Sequence, residues 1–445
     1  MLILYQTMTE NLPRVPPSNL DYSRLLPLGV KAVSKARKFQ PNNGSAFSSS
    51  NNIIRIPLNS TGFLDPQHSY LAFTVTVKNN EASKYVSFDG SAHSVIRTLR
   101  LIGSDGAELE YIQHYNVVRQ AMADLQVGSN HSATLGNAME GEATTAGDDT
   151  TTKIGTADGS GNNFSRGYSI KIMSALLNNS KYLPLGFIAG GGLILELTLE
   201  NDATCLIKDS TAAGGTAPTY ELSEIHYVGQ IVEMDERFNA SFRSMLNSSG
   251  GIQFSGQTWR THQYNFTSAA SGNAVVPVAE RSKSMKSLFH IFREQANLAD
   301  RTKYSIMRRS SNDVEQVQWK IGSNVYPSQP LKGSQTDSSQ YVAELVKAVA
   351  GLGDIRQGSA INQANFPVVA NTSFGSAMYA LDFESYAQAS DILESGIDTS
   401  SLALPINVEF TFGSTAVAGT LNVLSCALVD AIYTLDSQGM LTVSI

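Results

Sequence analysis

Cysteine is almost absent from this chain, and its scarcity excludes several protein classes. The 445 residues include only Cys205 and Cys426, which are far apart in sequence and lie near or within apolar runs. A disulfide framework needs more cysteines, and a zinc motif needs Cys or His in pairs at short spacing. Both cysteines are therefore predicted to be reduced core residues.

Charge is also scarce, at 16% of residues against about 25% in an average soluble domain. The 32 Lys and Arg are outnumbered by 39 Asp and Glu, which gives a formal net charge of −7 and excludes a globally basic nucleic-acid binder. No stretch approaches the run of about 18 apolar residues that spans a bilayer, and the N-terminus lacks the basic segment of an export signal. We therefore expect a soluble protein with no signal for export.

Motifs for catalysis or metal binding are missing as well. The seven histidines have no H-x-H or H-x-x-x-H spacing, and His226 and His290, inside strand patterns, are predicted to be structural. The glycine run at 190–192 lacks the Lys-Ser/Thr of a phosphate loop. Three acids that could bind calcium lack the terminal Glu of a calcium loop and are predicted to be solvated: Asp148, Asp149 and Asp158. We predict no catalytic, cofactor-binding or metal site, and hence no enzyme.

The first fifty residues differ from the rest. Prolines interrupt any helix there, and the stretch from Leu28 to Phe39 carries basic residues without a single acid: Lys31, Lys35, Arg37 and Lys38. Residues 1–50 are predicted to form an extended arm with a basic patch, hinged through Ser45 to Asn52. Two interpretations of this segment are open. It is either a frayed chain terminus, or an arm that ties down neighbouring subunits or touches an anionic surface.

From Ile53 the apolar residues alternate with polar ones, as in antiparallel strands. Strands are predicted over 53–58, 71–77, 95–103, 168–172, 182–187, 190–199 and 224–234, with a turn through Gly62, Asp65 and Pro66. Apolar residues at helical spacing predict a helix from Leu109 to Leu125, with Glu108 and Glu110 at its N-terminal end. A short helix is predicted from Asp235, its cap, to Leu246. Residues 128–167, rich in Gly and Thr, are predicted to be a surface loop.

The second half repeats the order of the first. The segment SMKSLFHIF from Ser284 is predicted to correspond to VIRTLRLI from Val95 in the first half. A helix at 340–351 is predicted to correspond to the helix at Leu109.

Two local matches support this duplication. The motif at Glu196 (ELTL) matches that at Glu409 (EFTF) at an offset of 409 − 196 = 213 residues, and two long strands end at Asp235 and Asp436, at an offset of 436 − 235 = 201. Four matches in the same order predict two copies of one β-sandwich.

Seven phrases of the sequence carry a resemblance to a known family, which extends over nearly the whole chain from about Ile53. They are NNIIRIPLNSTGFLDPQHSYLAFTVTV (51–77), VIRTLRLIGSDGAELEYIQHYNVVRQ (95–120), YLPLG (182–186), GGGLILELTL (190–199), NVYPSQPLKG (324–333), FGSAMYALDFESY (374–386) and SGIDTSS (395–401). These phrases resemble double jelly-roll major capsid proteins of tailless icosahedral DNA viruses, in the small versions of polinton-like viruses and virophages. The resemblance implies an all-β fold of two tandem eight-stranded jelly-roll β-sandwiches with a few short helices in the connecting loops. The first jelly roll would cover residues 51–235, a connector 236–251, and the second jelly roll 252–445.

The resemblance also implies a function. Three chains with two sandwiches each would form a homotrimer, a pseudo-hexagonal capsomer or hexon that tiles an icosahedral capsid around a DNA genome. The protein would be a structural component of the virion, assembled in the host-cell interior, with penton and minor or cement capsid proteins as partners and no cofactor or small-molecule substrate. The cluster Lys31, Lys35, Arg37 and Lys38 would lie on the inner face, towards DNA or an internal membrane.

Two other function classes remain open at this point. A carbohydrate-binding β-sandwich would also be rich in Gly, Ser and Thr, but it usually exposes tryptophan platforms, and Trp259 and Trp319 are the only tryptophans. A trimeric adhesin or tail fibre would show repeats of short period, whereas this chain has one duplication about 200 residues long.

Overall fold

The computed structural model describes residues 29–78, 85–128, 131–141, 154–156, 163–208, 217–298, 300–301, 303–352, 358–369, 375–385 and 395–445. The strands in these ranges are β1 (Ala32–Phe39), β2 (Ala46–Ser48), β3 (Ile53–Leu58), β4 (Phe63–Lys78), β5 (Tyr85–Phe88), β6 (Ile96–Ile102), β7 (Glu108–Ile112), β8 (Ile154–Thr156), β9 (Asn163–Ile170), β10 (Leu193–Leu199), β11 (Leu206–Lys208), β12 (Thr219–Met234), β13 (Gly251–Ser268), β14 (Asn273–Val278), β15 (Met285–Glu294), β16 (Val314–Ile321), β17 (Asn324–Lys332), β18 (Tyr379–Asp382), β19 (Ile406–Phe412), β20 (Gly419–Asp436) and β21 (Leu441–Ser444).

Among the described residues, three α-helices are longer than two turns: α1 (Tyr115–Gln126), α2 (Glu236–Ser248) and α3 (Ser339–Ala348). Single helical turns lie in the connections, at Ala92–Val95, Ser132–Gly136, Asn137–Glu140, Leu185–Phe187, Ala189–Gly191, Asp202–Cys205 and Gln295–Asn297.

Most strands form two sandwiches with the same strand order, and β5, β8 and β11 form a separate sheet in the order β11-β5-β8. In the first, the sheet β1-β12-β4-β9 faces the sheet β3-β10-β6-β7, and β2 also pairs with β12. In the second, the sheet β13-β20-β15-β18 faces the sheet β14-β19-β16-β17, and β21 also pairs with β20. All of these pairings are antiparallel, and two four-stranded sheets with such crossovers make a jelly roll. The prediction of two tandem eight-stranded jelly rolls is confirmed; we call them the first and second roll.

The alternation of apolar residues explains how each strand faces its core. In β3, Ile54, Ile56 and Leu58 are fully buried and the residues between them are more exposed. The strand β14 has the same place in the second roll, and its burial also alternates. Successive side chains of a strand point to opposite sides of the sheet, so a period of two is sufficient to direct one set of residues inward.

The strand order corrects one predicted correspondence. The strand β15, which contains MKSLFHIF of that segment, lies beside β20 in the place that β4 occupies beside β12. The counterpart of β6 (IRTLRLI) is β16. All but the last residue of β15 are buried, so this strand has no alternation that could show which face points to the core. The matches of β10 with β19 and of β12 with β20 are confirmed.

The helix predicted from Leu109 to Leu125 is partly wrong. Residues 108–112 form the strand β7, and the helix α1 begins only at Tyr115. His114 separates the two elements with a left-handed φ of 48°. Leu109 and Ile112 are buried in β7 and Tyr115 is buried in α1, so the apparent helical pattern joined residues of two elements that each face the core.

Two other local predictions also need correction. The predicted turn ends at Gly62, and Asp65 lies inside β4, where residues 66–69 bulge out of the ladder opposite Gly229. The strand predicted from Tyr182 is a single helical turn at Leu185–Phe187 with one isolated bridge at Leu183. At Gly186 a Cβ atom would lie 2.2 Å from the carbonyl oxygen of Thr61, so this close approach requires glycine.

The helix predicted at the end of the first roll is confirmed. Asp235 caps α2, because its Oδ1 accepts a hydrogen bond of 2.8 Å from the amide of Phe238. The rings of Phe238 and Phe242 lie 5.9 and 5.3 Å from that of Phe63, and Leu246 is buried. The helix thus packs on the first roll and leads directly into β13 of the second.

The part of the predicted arm that the structure describes belongs to the first roll. Residues 1–28 lie outside the described residues, whereas Ala32–Phe39 pairs along its full length with Tyr227–Met234 of β12. The first roll therefore begins at Ala32, as the second begins at Gly251.

Candidate assembly surfaces

Strand β1 is the exposed edge of the first roll and carries three of the four predicted contact residues; the fourth, Lys31, precedes it directly. Residues 32–38 are all exposed, and only Phe39 at the end of the strand is buried. Strand β12 pairs with one edge of β1, and no described strand pairs with the other. By the alternation of a strand, Lys35 and Arg37 point to one face of the sheet and Lys38 to the opposite face. The structure therefore divides the predicted basic patch between two faces.

The cations on β1 remain largely accessible. Lys35 Nζ lies 3.0 Å from Glu233 Oε2, in a pair that is exposed on both sides. The guanidinium of Arg37 lies 5.1 Å from the centre of the Phe39 ring. An exposed ion pair contributes only about 0–1 kcal/mol to stability, so these residues are available for contacts with other molecules.

A cleft of about 540 Å³ lies beside the end of β1, lined by residues that include Lys38, Glu224 and His226. Glu224 has a φ of 53° at the point where β12 shifts its register against β4. Its carbonyl accepts a hydrogen bond of 2.6 Å from Nδ1 of His226, and its carboxylate accepts one of 3.1 Å from Thr74. The cleft is thus lined by charges of both signs, and the bulge in β12 positions the Glu224 carboxylate.

The two rolls are joined through a buried carboxylate, Asp89. Its oxygens accept hydrogen bonds from the backbone amides of Ser305, Ile306 and Met307 in the second roll, at 2.5, 2.7 and 2.9 Å. Burial raises the pKa of Asp89 to about 6, although these hydrogen bonds act in the opposite direction. The residue therefore ties a loop of the second roll to the first.

A buried ion pair joins the rolls at a second point. Arg309, fully buried in the second roll, donates to Oδ2 of Asp124 near the end of α1, at 2.5 Å. The backbone carbonyl of Asp124 accepts further hydrogen bonds from Ser359 Oγ and the amide of Ala360. A charge buried to this degree needs its partner, because the interior solvates it poorly.

A further contact between the rolls involves Glu110 of β7. Its carboxylate accepts hydrogen bonds from the amide of Ala175 and from Oγ1 of Thr258 in β13, both at 2.8 Å, and from Ser174 Oγ. Burial raises the pKa of Glu110. The helix prediction placed this residue at the N-terminal end of a helix. If residues 108–112 are read as a strand, Glu110 and the apolar Ile112 point to the same face of the sheet. This shared face is the sequence feature that could have predicted a buried acid.

The residues that could have carried other functions are structural where the structure describes them. His290 is fully buried, and its two ring nitrogens bond to Ser425 Oγ and Trp319 Nε1, both at 2.9 Å. Burial lowers its pKa to about 3, so the ring is neutral. Cys205, Cys426, Trp259 and Trp319 are buried, which confirms the predicted core cysteines and excludes an exposed tryptophan platform.

Within the ranges that the structure describes, no three side chains of His, Cys, Asp or Glu come together as a metal site, and no helix is long and apolar enough to cross a membrane. The predicted solvated acids Asp148, Asp149 and Asp158 lie outside these ranges.

Solved structures share this fold over nearly its whole length. The chain aligns with PBCV-1 VP54, from a crystal structure fitted into a cryo-EM reconstruction of the virophage Sputnik, over 95% of its residues and 99% of VP54, at 10% identity and a TM-score of 0.61. The Faustovirus major capsid protein aligns with 97% of this chain over 96% of its own length, at 8% identity and a TM-score of 0.59. The mavirus major capsid protein aligns with 98% of this chain over 96% of its own length, at 11% identity and a TM-score of 0.55. No protein-family model and no curated protein sequence matches the chain. The chain therefore has the double jelly-roll fold, as the resemblance implied.

Proposed function

We propose that this protein is a major capsid protein, which trimerises into pseudo-hexagonal capsomers that tile an icosahedral virion shell around a DNA genome. The observation that supports this proposal is the match of both rolls, over nearly the full chain, to the major capsid proteins of Faustovirus and mavirus. Two similar sandwiches in one chain provide the geometry, because three such chains present six similar units around a threefold axis. The role is structural, with penton and minor capsid proteins as further partners.

The test is the assembly state of the purified full chain. Light scattering is expected to give the mass of three chains, and negative-stain microscopy a particle with six lobes. Each roll needs neighbours in such a ring, so the trimer should persist on dilution. A stable monomer at micromolar concentration, with folded rolls by circular dichroism, would contradict the proposal.

We propose further that Lys31, Lys35 and Arg37, with residues 1–28 before them, face the interior of the shell and contact an anionic surface there. This proposal is supported by the accessibility of the three basic side chains, which are all exposed in an otherwise acidic protein. Contacts of this kind weaken with salt. A triple change to Gln should therefore reduce binding of the trimer at low salt either to a DNA fragment or to vesicles with anionic lipid, and the affected probe identifies the surface.

A matched control exists for this experiment. Lys181, Lys283 and Lys332 are exposed and lie elsewhere in the fold, so their change to Gln alters the net charge equally. Equal loss of binding in both triple variants, or no loss in either, would refute the contact. Removal of residues 1–28 leaves β1 in place, and we expect trimers that fold normally but form fragile shells; shells as robust as those of the full chain would assign this segment no role in assembly.

A further inference from the structure

A small cavity in the second roll lies where the end of β15 meets residues 304–310, which we call the docking segment because their backbone amides bond to Asp89 of the first roll. The centre of a water-sized sphere has about 10 Å³ of space there, which is enough for one water molecule or one ion of similar size. Arg293 of β15 and Arg308 of the docking segment both line the cavity, and Glu294 is the only acid among its described lining residues. Two positive charges therefore face one negative charge.

Arg293 is buried without a counter-charge in direct contact. Its residue is only 6% exposed, and Nη2 of its guanidinium donates a hydrogen bond of 2.8 Å to the neutral Asn422. Its Nε has no hydrogen-bond partner among the described residues. Burial lowers the pKa of Arg293 to about 10, so the side chain is still charged at neutral pH. A cation buried to this degree needs a partner, because the interior solvates it poorly.

The carboxylates around Arg293 are engaged by other groups. Glu200 and Asp89 attract Arg293 from a distance, but Glu200 accepts a hydrogen bond within the first roll and Asp89 accepts three from the docking segment. Burial raises the pKa of Glu294 and lowers that of Arg308, and the mutual attraction of these two side chains opposes both shifts. Glu294 thus balances Arg308, and the charge of Arg293 remains at the cavity.

We infer that this cavity binds one chloride ion, which accepts a hydrogen bond from Nε of Arg293 and balances its charge. A water molecule would accept the same hydrogen bond but would leave the buried charge without a counter-ion. Phosphate and sulfate, with four oxygens around a central atom, exceed the space. The ion would fasten the docking segment to β15 and so strengthen the junction between the rolls. The site lies within one chain, so the inference does not depend on the proposed function.

Anomalous diffraction from crystals of the wild-type protein tests the site directly. Bromide replaces chloride in such a site and, unlike water, gives an anomalous signal. Crystals soaked in sodium bromide are expected to show an anomalous peak within hydrogen-bond distance of Arg293 Nε. Density for a water molecule in the cavity without a bromide peak would overturn the inference.

Thermal unfolding of the full chain shows whether the ion binds in solution. At constant ionic strength and pH, replacement of gluconate by chloride should raise the Tm by about 2–4 °C and then saturate, because a ligand that binds only the folded state stabilises it. Sodium chloride is the probe, and calorimetry measures the Tm. A Tm that does not respond to chloride would overturn the inference even if bromide is seen in the crystal, since binding would then occur at crystal concentration only.

A pair of variants assigns the effect to the cavity. Arg293→Met should abolish the dependence of the Tm on chloride, whatever its effect on the Tm itself. The matched control is Arg55→Met, which removes an arginine that is half exposed and paired with Glu196, and should keep the full dependence. If Arg293→Met does not fold, Arg308→Met takes its place, because that residue is only half-buried at the cavity. A chloride dependence that persists in the cavity variant, or that is lost equally in the control, would overturn the inference.

Discussion

Arg309 and Asp124 form an ion pair of 2.5 Å that joins the second roll to the helix α1 of the first, and the arginine is fully buried. The pair lies 185 residues apart in sequence, so it forms only when both rolls are folded and docked. Together with Asp89 and Glu110, it makes the junction between the rolls polar. Polar contacts of this kind are directional, so they define one relative position of two similar sandwiches more sharply than apolar contact alone.

Replacement of Asp124 should destabilise the protein strongly. Asp124→Ala leaves the Arg309 guanidinium buried without its counter-charge, which costs about 3–5 kcal/mol of unfolding free energy. Urea unfolding measures the loss. The matched control is Glu233→Ala, which breaks the exposed pair with Lys35 and should cost no more than about 1 kcal/mol. Equal effects of the two changes would show that the buried pair does not hold the rolls together.

The buried Asp89 predicts a pH dependence of stability. Its pKa is raised from 3.8 to about 6 in the folded state, so between these values the folded protein binds more protons than the unfolded chain. The contribution of this residue to stability is therefore greatest below pH 4 and falls as the pH rises through about 6, by an amount on the order of 3 kcal/mol.

The variant Asp89→Asn isolates this effect, because it keeps an oxygen acceptor but does not titrate. The difference in unfolding free energy between wild type and variant, measured at several pH values from 4 to 7, should decline as the pH rises. A difference that is constant with pH, or that increases, would contradict the raised pKa.

Loss of the Thr258 hydroxyl should weaken the junction at β13. Thr258→Val keeps the shape of the side chain but removes one of the three donors to the buried Glu110 carboxylate, at an expected cost of about 1–3 kcal/mol. Thr261→Val is the control, since that hydroxyl donates to the carbonyl of Gln113 at an exposed position and should contribute no more than about 1 kcal/mol. Thermal unfolding followed by calorimetry compares the two; a larger effect of the control change would refute the role of Glu110.

The cap of α2 can be tested without disturbing either core. Asp235→Ala removes the acceptor for the amide of Phe238 and should reduce stability by about 1 kcal/mol. Asp235→Asn keeps an oxygen that can accept this bond and should restore most of the loss. If Asn behaves like Ala, the cap does not contribute through its hydrogen bond.

Local patterns were sufficient where one feature determines one element. The alternation at Ile54, Ile56 and Leu58 identified β3, and the spacing of Phe238, Phe242 and Leu246 behind a capping aspartate identified α2. These predictions succeeded because a period of two or of three to four residues directs one face to the core whatever the rest of the chain does. Where two elements share one apolar pattern, as at Leu109 and Tyr115, the pattern misled.

The sequence by itself therefore determined the all-β class, the duplication, most strands and the helix between the halves, since these depend on residues close together along the chain. Only the tertiary structure decided that β15 corresponds to β4, that the basic residues of β1 point to two faces, and that Asp89, Glu110 and Asp124 join the rolls. These features depend on contacts between residues about 150 to 220 positions apart, such as Glu110 with Thr258 and Asp89 with Met307. Such pairs leave no periodic trace, because a buried acid and its distant donor are each ordinary residues until folding brings them together.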